Sequence, residues 1–139
     1  MKKLVLAGVL SLLVLTGCGK KETVVCTNNQ STSGIDLNTS VNVYLENSRF
    51  KGLDMVIDII VPDSMLSRKD VLVSALEKQY QSFETKYGVT PKTTETDNGA
   101  KVTMEMTAEQ AKEFSGSNND RATRKDVIEI FGKQGFECK

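Results

Sequence analysis

Histidine and tryptophan are absent from the 139 residues, and there is no excess charge of either sign, with 18 Lys+Arg against 18 Asp+Glu. Without histidine, Ser-His-Asp and Cys-His sites are excluded within the chain, and so is the commonest general acid–base. A Ser-Lys dyad stays open by composition, but no motif marks one. With three cysteines and no histidine, the usual four-ligand zinc set cannot be completed. No Gly-rich phosphate loop and no calcium-loop spacing occurs. The even charge argues against nucleic acid as a partner, since such binders carry a basic excess. Nothing in the composition calls for a cofactor.

The apolar residues that are present concentrate at the start. Met1-Lys2-Lys3 is a short positive region, and Leu4 to Leu15 is an apolar run broken only by Gly8 and Ser11. As a helix this run would rise about 18 Å, too short for a bilayer core of about 30 Å. A charged start followed by a short apolar stretch is the anatomy of a secretory signal over residues 1–17. Leu15-Thr16-Gly17-Cys18 then looks like the lipobox of bacterial lipoproteins. Its small residues admit a peptidase, which would cut between Gly17 and Cys18, and the Cys18 sulfur would take a diacylglycerol. Two acyl chains hold a protein stably where one is marginal. Residues 18–22 read as the acylated cysteine and a short tether, and 23–139 as one domain. From Cys18 to Cys26 the chain spans at most about 27–29 Å.

Cys26 and Cys138 are the other two cysteines. In an exported domain such a pair points to a disulfide; the alternative is two independent buried thiols. Bridging them closes a loop of roughly 110 residues, for which loop entropy gives about 4–5 kcal/mol.

Periodicity supplies the elements. Thr23–Thr27 is β-branched and reads as a strand, followed by a polar loop from Asn28 to Gly34. Residues 40–46 and 49–61 alternate around Asn47-Ser48, which predicts an antiparallel hairpin. Val41, Val43, Leu45, Leu53, Met55, Ile57 and Ile59 take its buried face, and Asp54 and Asp58 its solvated one. The two aspartates are about 13 Å apart, too far for a paired-carboxylate hydrolase. Pro62 ends the strand. Ser67–Asp70 resembles a capping box, opening a helix with Leu72, Leu76, Tyr80, Phe83 and Tyr87 on one stripe. That stripe is expected to cover the hairpin's apolar face. Gly88 would end the helix, with Pro91 just beyond.

Lys92–Thr96 reads as a Thr-rich edge strand, turning at Asn98-Gly99 into Lys101–Thr107, with Val102, Met104 and Met106 inward. Capping boxes at Thr107–Gln110 and Thr123–Asp126 open two shorter helices, separated by a loop over Gly116–Asp120. The expected fold is α+β: an antiparallel sheet of about five strands packed by one long and two shorter helices.

This order of features resembles the YehR-like family of small bacterial lipoproteins. The residues that carry the resemblance are Leu15-Thr16-Gly17-Cys18, Val25-Cys26-Thr27, the strand pair from Val41 to Val61 and Lys86-Tyr87-Gly88-Val89. Asp97-Asn98-Gly99-Ala100-Lys101-Val102-Thr103-Met104 and the ending Gly135-Phe136-Glu137-Cys138-Lys139 fit as well. The pattern is most similar to members from low-GC Gram-positive bacteria. The resemblance implies an exported, lipid-anchored α+β domain and assigns no activity and no catalytic residues.

The expected function is therefore a membrane-anchored envelope domain that binds another protein or the cell wall without catalysis. A small-ligand binder, for a peptide or lipid, is the alternative. An apolar cleft under the long helix would favour the ligand, and a closed core would oppose it. The Thr-rich edge strand and the loops Asn28–Gly34 and Gly116–Asp120 are the first surfaces to examine, with Thr94 and Thr96 as test positions. Lys20 and Lys21 stand beside the anchor, where anionic lipid headgroups would meet them.

Overall fold

Alternation of apolar and polar residues builds one sheet with two unlike faces. The structure is a computed structural model that describes residues 20–115 and 121–139. The expected signal segment, the expected Gly17–Cys18 cleavage site and Cys18 anchor, and the expected Gly116–Asp120 loop lie outside the described residues. The strands are β1 (Lys21–Thr32), β2 (Ile35–Glu46), β3 (Arg49–Ile60), β4 (Lys92–Thr96), β5 (Gly99–Thr107) and β6 (Glu137–Cys138). The helices are α1 (Lys69–Tyr87), α2 (Ala108–Ser115) and α3 (Arg124–Lys133). All neighbouring strands pair antiparallel, in the order β4-β5-β3-β2-β1-β6. The fold is α+β, with a sixth, two-residue strand beyond the five expected.

The registers Val24↔Val43, Val43↔Leu53 and Leu53↔Met106 carry one apolar row across four strands. Side chains alternate between faces along a strand, so the row's neighbours two residues on extend the same face. Asp54 and Asp58 share the other face with Tyr44, Val25 and Thr103, as the sequence predicts. Every helix that packs on the sheet packs on the apolar face. Among the described residues no helix covers the opposite face, which is mostly polar.

The apolar layer divides into two cores. Ile59, Val61, Leu76, Val89, Ala100, Val102, Met104 and Met106 are buried beneath α1. Val24, Cys26, Val41, Val43 and Leu45 are buried with Val127 of α3. Leu53 and Met55 touch both. This corrects the expectation that Val41, Val43 and Leu45 lie under the long helix. A helix is about 10 Å wide and strands are spaced about 4.8 Å, so α1 covers only two or three strands. The β1–β2 side needs its own cover, and α3 supplies it.

Four local expectations also change. Asn28–Gly34 is not a loop: β1 runs on to Thr32, pairs with Ile35, and only Ser33-Gly34 turn, both at positive φ. Polar residues suffice there because the ladder, not burial, holds the segment. The Ser67–Asp70 capping box does not form. A 3-10 segment over Asp63–Arg68 leads directly into α1, so Ser67 is already in helical turns and no side chain caps the junction. The β4–β5 turn is Asp97-Asn98, and Gly99 is the first residue of β5. Gly99 is needed because a Cβ there would stand 2.1 Å from the Ile59 carbonyl oxygen. The first strand also starts earlier than the expected Thr23, since Lys20 already donates its N–H to Asn47 Oδ1 at 3.1 Å and β1 starts at Lys21.

The later caps form as predicted. Thr107 and Gln110 exchange backbone and side-chain bonds at 3.0 and 3.2 Å. Thr123 and Asp126 do the same at 2.9 and 3.2 Å. Those bonds hold the Asp126 carboxyl below its ordinary pKa, the backbone N–H of Thr123 contributing most. Gly88 ends α1 in the left-handed region at φ 69, its N–H bonded to the Glu84 carbonyl.

Candidate functional site

The sheet's β4 edge is where side chains and unused backbone meet. Gly88 stops α1, Val89 plugs into the core at 1% exposure, and Pro91 turns the chain into β4. The strand therefore runs back alongside the helix it has just left. Lys69, at the first turn of α1, holds the far end of the hairpin. Its Nζ donates to the Thr96 carbonyl at 2.9 Å and lies 3.4 Å from Glu95 Oε1.

Pairing fixes which β4 groups point outward. A two-residue turn makes Thr96 and Gly99 the closing hydrogen-bonded pair. Lys92, Thr94 and Thr96 thus direct their N–H and C=O toward β5. Thr93 and Glu95 direct theirs away from the sheet, along the open edge. This corrects the choice of Thr94 and Thr96 as test positions: their amides already serve the β4–β5 ladder.

Thr93 also turns its side chain toward the helices, into a groove of about 720 Å³. Ser74, Glu77, Lys78, Gln81 and Glu84 of α1 form one wall and residues 91–94 the other, with Tyr80 between them. The helix spacing of three and four residues puts these polar side chains on one flank of α1, beside its apolar stripe. Tyr80 belongs to both surfaces. Its ring packs on the core, and burial raises its hydroxyl pKa above the ordinary 10.0. Tyr80, Phe83 and Tyr87 stack in sequence with centroids 5.8 Å apart. Gln110 of α2 donates to the Gly88 carbonyl at 2.8 Å and ties down the end of α1.

Other predicted residues lie elsewhere. Cys26 and Cys138 pair directly across β1 and β6, their sulfurs 2.06 Å apart, which is disulfide distance. Asp54 accepts from the Tyr44 hydroxyl at 2.5 Å on the bare face. That bond, more than burial or the Asp54 charge, raises the Tyr44 pKa above 10.0. Among the described residues no group of three or more Cys, Asp or Glu is placed to hold a metal ion, and no helix is long and apolar enough to cross a membrane. The sequence marked β4 as an edge but not the groove, whose α1 wall is made of polar residue types and leaves no hydrophobic signal.

No family model and no curated protein matches the sequence. A solved structure is similar, a protein from Streptococcus pneumoniae determined by NMR, at 10% identity and a TM-score of 0.54. The match covers 89% of this chain and 88% of that one. At that identity the likeness shows a shared α+β fold and nothing about function.

Proposed function

We propose that this chain is a lipid-anchored envelope lipoprotein of the YehR-like kind, and that it binds an extended peptide segment of a partner along β4 without catalysis. The observation that carries the peptide reading is the open edge of β4, with Thr93 and Glu95 facing outward beside the α1 groove. An incoming strand takes up those backbone groups and alternates its side chains between the groove and the bare face. The groove's wall of Ser74, Glu77, Gln81 and Glu84 suits a peptide better than a lipid, whose tails need an apolar lining. The lipid anchor rests on the signal anatomy and the lipobox at Cys18. A disulfide between Cys26 and Cys138 fits the same oxidising compartment.

The test is a displayed library of short peptides, panned on the purified protein. Thr93→Pro removes an outward N–H and is tolerable at a sheet edge, while Thr93→Val keeps the N–H with a similar shape. Binding of selected peptides should fall about tenfold in Thr93→Pro and stay near wild type in Thr93→Val, with melting temperatures checked for both. Equal binding by a folded Thr93→Pro would overturn the site. Turnover of a selected peptide would overturn the non-catalytic reading.

A further inference from the structure

Basic side chains gather at one end of the strands. At the end where β1 begins, Lys20, Lys21, Arg49, Lys51, Arg124 and Lys125 are all exposed. Hydrogen bonds assemble this end from three separate stretches of chain. Lys20 and Asn47 bond in both directions, Asn47 N–H to the Lys20 carbonyl at 3.0 Å and Lys20 N–H to Asn47 Oδ1. Ala122 N–H donates to the Ser48 carbonyl at 3.0 Å, which brings the start of α3 alongside. The partial positive charge of that helix start adds to the basic side chains. Among the described residues, the acids at this end include Glu22, which pairs with Lys20 at 3.5 Å, Asp126, which is turned into its cap, and Glu46 and Glu109. The opposite end of the sheet carries Asp36, Asp63 and Asp97 at its turns, with Arg68 and Lys69 beside them.

We infer that the basic end of the sheet docks on anionic lipid headgroups and stands the domain upright on the membrane, with β4 running away from the surface. The inference rests on the acylation of Cys18 proposed above. Cys18 precedes Lys20 by two residues, so their Cα atoms are at most about 7 Å apart. That is within a screening length of about 8 Å at physiological salt. Acylation therefore presses this end, and no other, against the headgroups. Once held there, each basic residue favours the docked orientation by about five-fold on an anionic surface. A membrane without anionic lipid would tether the domain but leave its orientation free.

The experiment uses the mature protein in vesicles of phosphatidylcholine alone or with phosphatidylglycerol. Amide hydrogen exchange is followed by mass spectrometry at residues 46–52 and 121–126, with the Ser33-Gly34 turn as the far-end reference. Exchange at the basic end should slow about five-fold or more on the anionic vesicles only, and 1 M salt should restore it. The variant Lys51→Glu/Arg124→Glu/Lys125→Glu should remain on the vesicles and lose the protection. Equal exchange on both vesicle types, or protection that survives the triple reversal, would overturn the inference. Release from the neutral vesicles would show instead that no acyl chain holds the protein, and the anchor reading would fall with it.

Discussion

Reducing the Cys26–Cys138 bond should cost this domain a large part of its stability. The two residues are 112 positions apart, so the bond closes nearly the whole folded chain. Loop entropy for a loop near 100 residues gives about 4–5 kcal/mol, exerted mainly on the unfolded state. Little in the native contacts opposes that figure. Cys26 is fully buried beside Val127, and β6 is only two residues long, continued by the reciprocal bonds between Val25 and Lys139. Those few backbone bonds would have to hold the C-terminal strand alone. For a domain of this size 1 kcal/mol shifts the melting temperature by about 3–5 °C, so reduction should lower it by about 12–25 °C. Reduction is preferable to substitution because both sulfurs stay in place and no cavity is opened. The assay is thermal and urea unfolding of the protein with and without reductant, with thiols counted under each condition. The urea slope should rise on reduction, since the freed unfolded chain exposes more surface. A shift below about 3 °C with both thiols titrating as free would refute the reasoning.

Gly99→Ala should destabilise by about 2 kcal/mol or more, because the new Cβ meets the backbone carbonyl of Ile59 in a neighbouring strand; urea unfolding measures it, and a change below about 0.5 kcal/mol would contradict the close approach. Thr123→Ala removes the cap of α3 and should cost about 1 kcal/mol, read in the same assay. The Tyr44 bond to Asp54 should show in the pH dependence. Its folded pKa is raised above 10.0, so the bond's stabilisation is complete below pH 10 and is lost as pH rises through the higher folded value. Tyr44→Phe should remove that alkaline loss, measured as unfolding free energy against pH, and the tyrosinate absorbance of the native protein should show two late-titrating groups in the wild type, Tyr44 and Tyr80, and one in the variant.

Period-two alternation made the central strands legible: Val41 to Leu45, Leu53 to Ile59 and Val102 to Met106 face inward where the pattern puts them. The capping boxes at Thr107 and Thr123 were legible for the same reason, since both are local chemistry. What failed was set by distant partners. Asn28–Thr32 has a loop's composition and a strand's pairing, because β2 holds it. Ser67 has a cap's spacing, yet the 3-10 segment had already begun the helix. Gly99 suits a turn, but a neighbouring carbonyl decides its place. Which helix covers Val41 could not be read from a single strand. The β4 edge was legible from its threonines. Its outward residues were not, because the turn's position decides the parity, and a two-residue turn at Asp97-Asn98 rather than Asn98-Gly99 exposes Thr93 and Glu95 rather than their neighbours.

That parity makes the central claim directly measurable. Amide proton exchange and chemical shifts should be recorded by NMR for β4, with and without a peptide selected on the protein. Thr93 and Glu95 should exchange quickly in the free protein and become protected when the peptide is bound. Lys92, Thr94 and Thr96 should be protected in both states, since they already bond to β5. Binding that leaves Thr93 and Glu95 unprotected, while shifting residues on another surface, would contradict strand addition at β4.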